Sequence, residues 1–162
     1  MRRIAALAAL LACFTAGTAL ANTSHAGWPK IDGALVMHKN DESGVIQATK
    51  TSRHNELLGG HGSDVVVGGD KGDVIWGDYK PGGQPATQVD QLNGGGGRDF
   101  IYASHGTNVI DTGPGSDVVH AHFGRGTITC RSPRTIVFLS HRGWPHYRLS
   151  GCRRISYWTL GY

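Results

Sequence analysis

Acidic residues are missing from the C-terminal part of this chain. No aspartate or glutamate lies within residues 121–162, whereas that stretch holds 7 arginines. The 12 acidic residues all lie within residues 22–120, together with 7 of the basic ones. A basic tail can bind nucleic acid, but this one has neither a basic helical pattern nor a known nucleic-acid motif. We therefore predict no nucleic-acid partner and interpret the tail as a solvated or capping face.

Long apolar runs are also missing, so no segment is predicted to span a membrane. The apolar stretch at residues 4–14 is too short to cross a bilayer. It follows a basic start and precedes Ala19-Leu20-Ala21, which together form the pattern of a secretory signal peptide. We predict that residues 1–21 are this signal peptide and that the mature chain is secreted to the extracellular space. A lipid anchor at Cys13 is an alternative, which the poor fit of Leu11 to a lipoprotein cleavage box disfavours.

Cysteine is scarce, with 3 residues in the whole chain. Removal of the signal peptide would leave Cys130 and Cys152. In an oxidising compartment such a pair forms a disulfide more readily than it stays as two free thiols. We predict this disulfide, which would add about 3 kcal/mol to stability in the chain-entropy model.

Catalytic motifs are absent as well. Ser104-His105 and Ser140-His141 invite a hydrolase interpretation, but adjacent side chains generally point apart and no orienting third group follows from the pattern. His120-Ala121-His122 has the spacing to chelate zinc or copper, but no third ligand is placed. We therefore predict that the protein is not an enzyme and keep a hydrolase as the alternative.

Glycine, in contrast, is abundant, with 25 residues, and it recurs in register. Residues 59–67 read GGHGSDVVV, residues 68–76 read GGDKGDVIW and residues 94–102 read GGGGRDFIY. The nine-residue frame extends, with more substitutions, over residues 50–138 if residues 77–84 are treated as an insertion. Nine units result, and a low-complexity tract would not keep such a phase.

Two positions of this frame each hold one kind of residue. The eighth is aliphatic in all nine units: Leu57, Val66, Ile75, Leu92, Ile101, Ile110, Val119, Ile128 and Val137. The sixth is Asp or Asn in all units except those with Gly126 and Thr135. Glycines permit tight turns, and the β-branched end of each unit suits a short strand with one inward side chain. We predict an all-β fold, a parallel β-roll or β-solenoid, in which two units complete one coil.

The pattern G-G-x-G-x-D-x-U-x resembles the RTX, or haemolysin-type, calcium-binding nonapeptide repeat. The match is complete at residues 59–67 and 94–102, and nearly complete at 68–76, where Lys71 and Gly72 replace the usual glycine-then-variable pair. The resemblance implies a right-handed parallel β-roll with Ca²⁺ held between neighbouring turns. It also implies an alternative function, because many members are toxins, lipases or proteases that carry such repeats beside a working domain.

The predicted calcium ligands are the sixth-position side chains and the backbone carbonyls of the glycine turns, because Ca²⁺ takes about six to eight oxygen ligands. One edge of the roll is expected to stack Asn55, Asp73, Asp99 and Asp117, and the other Asp64, Asp90 and Asn108. The predicted carbonyl ligands are Gly59, Gly60, Gly62, Gly68, Gly69, Gly94, Gly95 and Gly97. The best sites are expected where the turn of Asp99 meets those of Asp73 and Asp117, and a weaker one between Asp64 and Asp90. The alternative is that these residues only form turns.

Stacked carboxylates repel one another without a metal, and glycine raises the entropic cost of ordering the chain. We therefore predict that Ca²⁺ binding and folding of the repeat block are coupled.

One outward face of the roll is predicted to be apolar, with Trp76, Tyr102, His120 and Phe138 in its ninth positions. Such a face must be covered or used. We expect residues 139–162 to cover it. The alternative is a surface strip that binds a polysaccharide, ice or a protein partner. Residues 22–49 and 139–162 are predicted to cap the roll of residues 50–138 at its two ends.

Overall fold

The computed structural model describes residues 27–38, 42–80, 82–141 and 146–157. The predicted signal peptide and Cys13 lie outside the described residues. Strands are the regular structure of the described ranges, and these ranges contain no helix with the length and apolarity needed to cross a membrane.

Thirteen short strands alternate between two sheets as the chain advances. The seven-stranded sheet contains, in spatial order, β1 (Leu35–Met37), β3 (Glu56–Leu58), β5 (Val74–Trp76), β7 (Phe100–Tyr102), β9 (Val118–Ala121), β11 (Ile136–Leu139) and β13 (Arg154–Ser156). The six-stranded sheet contains β2 (Gly44–Gln47), β4 (Asp64–Val67), β6 (Val89–Asn93), β8 (Thr107–Asp111), β10 (Arg125–Thr129) and β12 (Tyr147–Ser150).

All strand pairs within both sheets are parallel, and each strand pairs with the next but one in sequence. The chain therefore winds as a β-solenoid of about six turns, which confirms the predicted fold class. Ile101 pairs with Val119, so one coil there takes 119 − 101 = 18 residues, as two nine-residue units require. Ile75 pairs with Ile101, and the coil between them is eight residues longer (101 − 75 = 26) because it contains the insertion at residues 77–84.

The core is the row of eighth-position aliphatic side chains. All nine are at most 1% exposed, and they form one cluster with Ile46 and the partly buried Leu149. Side chains alternate along a strand, so one inward residue per strand suffices to fill the narrow space between the sheets. Full burial of each aliphatic side chain stabilises the fold by about 1.5–3 kcal/mol.

The winding continues on both sides of residues 50–138. In the predicted N-terminal cap, β1 and β2 pair in the roll's own register, with Val36 beside Leu57 and Ile46 beside Val66. In the predicted C-terminal cap, Leu149 pairs with Ile128. The solenoid is therefore longer than the glycine-rich repeat that encodes its middle.

The predicted disulfide joins neighbouring coils near this C-terminal end. The sulfur atoms of Cys130 and Cys152 lie 2.00 Å apart, and the two cysteines follow β10 and β12 respectively. The pairing agrees with the prediction.

The outward face of the seven-stranded sheet is apolar, as predicted. Its ninth-position rings stack in order, with centroid separations of 4.0 Å between Trp76 and Tyr102, 4.7 Å between Tyr102 and His120, and 5.1 Å between His120 and Phe138. The seventh-position residues beside them are largely buried.

Among the described residues, cover on this face comes from the N-terminal side. Trp28 and Ile31 pack on the face, and the indole N–H of Trp28 donates to the hydroxyl of Tyr102 at 2.8 Å. Within the described part of residues 139–162, Tyr147 is buried in the inner core, and Tyr157 stacks on His141. Trp144 and Trp158 lie outside the described residues. Of the described aromatic residues of this segment, only Tyr147 enters a core, and it is the inner one.

Candidate calcium site

The sixth-position side chains lie just before their strands and form one row along each edge of the roll. The first row contains Asn55, Asp73, Asp99 and Asp117, and the second row contains Asp64, Asp90 and Asn108. All seven are 0% exposed. The parallel register, with Asp90 beside Asn108 and Ile75 beside Ile101, brings together the two groups expected from the sequence.

Each acid of the first row is bonded to the coil before it. Oδ1 of Asp73 accepts from the backbone N–H of Asn55, Oδ1 of Asp99 from that of Asp73 at 2.8 Å, and Oδ1 of Asp117 from that of Asp99 at 3.2 Å. Thr135 ends the row, because its hydroxyl donates to Oδ2 of Asp117 at 2.9 Å. The row thus links five successive coils.

The second row is more fully occupied by hydrogen bonds. Asp64 accepts from the backbone N–H of Gly44 and Gly60, and its Oδ1 lies 2.8 Å from Nδ1 of His38. Asp90 accepts from the backbone N–H of Asp64 at 2.9 Å and from the hydroxyl of Ser104 at 2.6 Å. These two carboxylates therefore already accept hydrogen bonds from donors of the chain itself.

Tyr147 closes the second row at its far end. The next sixth position is Gly126, which pairs with Tyr147 in the neighbouring strand. The Tyr147 hydroxyl accepts from the side-chain amide of Asn108 at 3.0 Å and donates to the carbonyl of Phe123 at 2.8 Å. A Cβ at Gly126 would collide with the backbone of Asn108.

The first glycine of each repeat lies against its own sixth-position carboxylate. A Cβ at Gly59 or Gly68 would be 3.0 Å from Oδ2 of Asp64 or Asp73, and a Cβ at Gly94 would be 2.7 Å from Oδ2 of Asp99. The stacked turns face one another through backbone alone, because a Cβ at Gly68 would also collide with the carbonyl oxygen of Gly94.

Several of the predicted carbonyl ligands lie in these contacts between turns. The carbonyl of Gly69 accepts from the N–H of Gly96 at 2.7 Å, and that of Gly59 accepts from Tyr79 at 3.2 Å. A Cβ at Gly62 would collide with the backbone of Glu42, and one at Gly97 with that of Gly72. The stacked turns are therefore held together by backbone hydrogen bonds and lie too close for side chains.

Asp99 is the one first-row carboxylate with an unbonded oxygen among the described residues. Its Oδ2 is buried and has no hydrogen-bond partner there. Burial, with smaller contributions from the charges of Asp117 and Asp73, raises the pKa of the Asp99 carboxyl to about 9, against the opposing hydrogen bond from the N–H of Asp73. A buried carboxyl in this state favours its neutral form unless a positive charge approaches it.

Burial also raises the pKa of Asp90 and of Asp117, but hydrogen bonds limit the effect. Burial raises the pKa of Asp90 to about 6, and the hydrogen bonds from the hydroxyl of Ser104 and the N–H of Asp64 oppose this rise because they stabilise the ionised form. The pKa of Asp117 is raised by burial and held back chiefly by its bond to Thr135.

The alternative sites named from the sequence have other surroundings. The rings of His120 and His122 are 5.7 Å apart, and across the described residues no group of three or more His, Cys, Asp or Glu side chains could hold a metal ion. Ser104 is 0% exposed and donates to Asp90, and the hydroxyl of Ser140 donates to the carbonyl of His122 at 2.8 Å.

Sequence reasoning missed three residues of the rows. His38 lies outside the repeat, so no phase points to it. Tyr147 reaches Asn108 from 39 residues away, and the glycine at position 126 was its only signal. Ser104 replaces the second glycine of its unit, a variant whose hydroxyl could have suggested a bond to a nearby acid.

A family model for the RTX calcium-binding nonapeptide repeat matches residues 57–79 and 87–119 in four copies. This chain carries RTX calcium-binding repeats. The matched RTX segments contain six of the seven row residues, and Asn55 lies just before the first of them. No curated protein and no solved structure matches the chain. The RTX repeats and the β-solenoid together fit a calcium-binding β-roll protein.

The first row fits such an ion on its own geometry. Ca²⁺ prefers carboxylate and carbonyl oxygens and does not need three acidic side chains at one point. Asp99, whose buried Oδ2 is unbonded, lies between Asp73 and Asp117 in the row, beside turns whose glycines leave only backbone. That combination supplies the oxygen donors and the excess negative charge that the ion requires.

Proposed function

We propose that this protein binds Ca²⁺ between the stacked turns of the first row, with Asp99 at the centre. The carboxylates of Asp73, Asp99 and Asp117 would hold the ion together with carbonyls of Gly68, Gly69, Gly94, Gly95 and Gly97. The single observation that carries the proposal is the buried Asp99 oxygen that has no partner among the described residues. Leaving a buried polar oxygen unsatisfied costs about 1–3 kcal/mol, so a ligand is expected there.

The second row is proposed as the weaker site. Asp64 and Asp90 already accept hydrogen bonds from His38, Ser104 and the backbone, and these bonds would compete with an ion. Asn108 and Asn55 would contribute neutral oxygens at the ends of the rows, and Gly59, Gly60 and Gly62 would contribute carbonyls. We therefore expect occupation of the second row only at higher Ca²⁺ concentration.

We propose further that binding is coupled to folding and that the protein acts outside the cell. A bound ion supplies positive charge that offsets repulsion among the row carboxylates. Without it, ordering the glycine turns has a high entropic cost and places three acids in one buried row. The N-terminal signal-peptide pattern and the Cys130–Cys152 pair support an extracellular, oxidising location.

The proposed role is binding and not catalysis. Ser104 is buried and its hydroxyl is bonded to Asp90, so it is not available as a nucleophile for a substrate from solvent. A screen for esterase, protease and haemolytic activity, with and without Ca²⁺, tests the hydrolase or toxin alternative directly.

The test of the calcium site is a pair of isosteric substitutions measured by calorimetric titration of the mature chain. Asp99→Asn removes the charge of the central carboxylate while keeping its shape. We expect the tightest Ca²⁺ site to weaken at least about tenfold, since a charged ligand contributes more than about 1.4 kcal/mol.

Asp70→Asn is the matched control, because Asp70 is an exposed acid in the turn that carries Asp73. It should titrate like the unmodified protein. Wild-type affinity in Asp99→Asn, with the protein folded, would exclude the first row as the calcium site.

A further inference from the structure

The turns of the roll occur in two hydrogen-bonding states. In the closed state, the backbone N–H of the second turn residue donates to the sixth-position side chain of the same turn. Gly60 donates to Asp64 at 2.9 Å, Gly69 to Asp73 at 2.6 Å and Ser104 to Asn108 at 3.0 Å.

In the open state, the same N–H turns away from the sixth position. Gly95 donates instead to the side chain of Asn93 at 3.0 Å, and Gly113 donates to that of Asp111 at 3.1 Å. Both glycines have positive φ, 82° and 73°, which Gly60 and Gly69 do not. Positive φ is accessible to glycine at little cost, so the second glycine of the repeat permits this reorientation.

The residue just before the turn distinguishes the two states in all five turns. Leu58, Val67 and Tyr102 precede the closed turns, and none of these side chains can accept a hydrogen bond from the second residue's N–H in this way. Asn93 and Asp111 precede the open turns, and their side chains accept from the backbone two residues on, as Asn and Asp do in Asx turns.

The glycine pattern does not decide the state. Residues 59–64 and 94–99 both carry the complete G-G-x-G-x-D sequence, yet the first is closed after Leu58 and the second is open after Asn93. Diversion of the Gly95 N–H to Asn93 accounts for the unbonded Oδ2 of Asp99, because the equivalent oxygen of Asp73 holds the Gly69 N–H.

We propose that Asn93 is a positioning residue for calcium: it binds the N–H of Gly95 and so leaves Oδ2 of Asp99 free. Asp111 diverts the N–H of Gly113 in the same way, but there Thr135 donates to Oδ2 of Asp117. This inference rests on the proposed function, since it explains which of the stacked turns are ready for the ion. A closed turn must first break its own N–H bond to the carboxylate, whereas an open turn has already released it.

The test uses substitutions at the ninth position in the full mature chain, titrated with CaCl₂ by calorimetry. Asn93→Val reproduces the residue that precedes the closed turn of Asp73, and it should weaken the tightest site about tenfold, roughly one hydrogen bond. Asn93→Asp keeps the acceptor, as at Asp111, and should bind like the unmodified protein. Gln91→Val is the control, because Gln91 is exposed two residues earlier on the same face of β6.

The reverse substitution separates positioning from general stability. Val67 pairs with Asn93 in the neighbouring strand, so Val67→Asn should open the turn of Asp73 and tighten binding or add a bound ion. A merely destabilising change would not increase binding. Unchanged titrations for both Asn93→Val and Val67→Asn would overturn the inference, whereas absence of binding by the unmodified protein would instead reject the calcium function.

Discussion

Asp99 differs from the neighbouring acids because hydrogen bonds to only one of its carboxylate oxygens offset the cost of its burial. Asp73 and Asp64 each accept from the chain through both oxygens, whereas Asp99 does so through Oδ1 alone. Its pKa is raised to about 9, so the metal-free folded protein holds a proton on this side chain at neutral pH. Binding of a cation to the ionised form would release that proton.

This proton predicts how metal-free stability depends on pH. Between pH 7 and 9, folded Asp99 is protonated while the unfolded chain, with a pKa near 3.8, is not. The folded state binds more protons, so the free energy of unfolding falls as pH rises, by at most about 1.4 kcal/mol per pH unit. Thermal unfolding in EDTA should therefore give a higher Tm at pH 7 than at pH 9. Asp99→Asn should flatten the difference, and a Tm that rises with pH in the unmodified protein would contradict the assignment.

Among the elements, the outward face of the seven-stranded sheet depends on a contact from outside the repeat. Trp28 meets Trp76 and Tyr102 edge-on, with centroids 6.2 and 5.9 Å apart, and donates a hydrogen bond to Tyr102. Tyr102 is 6% exposed beneath it. The contact reduces the aromatic surface left open to solvent, and a ligand-binding role for the strip stays a prediction.

Trp28→Ala should therefore destabilise the fold. We expect the free energy of unfolding to fall by about 2–4 kcal/mol. This is somewhat less than for a fully buried tryptophan, because Trp28 is only partly buried. Trp28→Phe keeps the ring contact and loses the hydrogen bond, so it should cost about 1 kcal/mol. Urea unfolding in saturating Ca²⁺ measures both. Equal stability of Trp28→Ala and the unmodified protein would show that the face does not need this cover.

The sequence predicts a strand when the residues of that strand recur at fixed positions of the nine-residue repeat. The strands around Leu57, Ile75 and Ile101 follow from one aliphatic residue every nine positions, and their burial confirms them. Contacts made once by residues distant in sequence have no such signal. The packing of Trp28 on the outward face is of this kind, because Trp28 lies outside the repeat and no phase points to it.

The calcium site likewise has a part that the repeat predicts and a part that it does not. The rows of Asp73 and Asp99 follow from the sixth position, because parallel coils stack equal phases. The difference between an open and a closed turn depends on where one backbone N–H points, and this is decided by Asn93, at a variable position of the repeat. The repeat pattern alone does not reveal such a difference, because it leaves this position unspecified.

At the scale of the molecule, the roll is a one-dimensional stack whose stability is nearly a sum over neighbouring coils. Its ends contain neutral row partners: Asn55 precedes the acids of the first row, and Thr135 follows them. The acids are thereby confined to the middle coils, while the Cys130–Cys152 pair ties coils beyond them. We expect the stability of the central coils to depend most strongly on calcium, because acidic side chains of neighbouring coils stack on one another there.

The most direct test of this account is a calcium titration of the mature, metal-free chain by calorimetry, followed by circular dichroism on the same samples. We expect saturable binding, an increase in β signal and a rise in Tm as Ca²⁺ is added. Absence of binding heat up to millimolar Ca²⁺, with an unchanged spectrum and Tm, would contradict it.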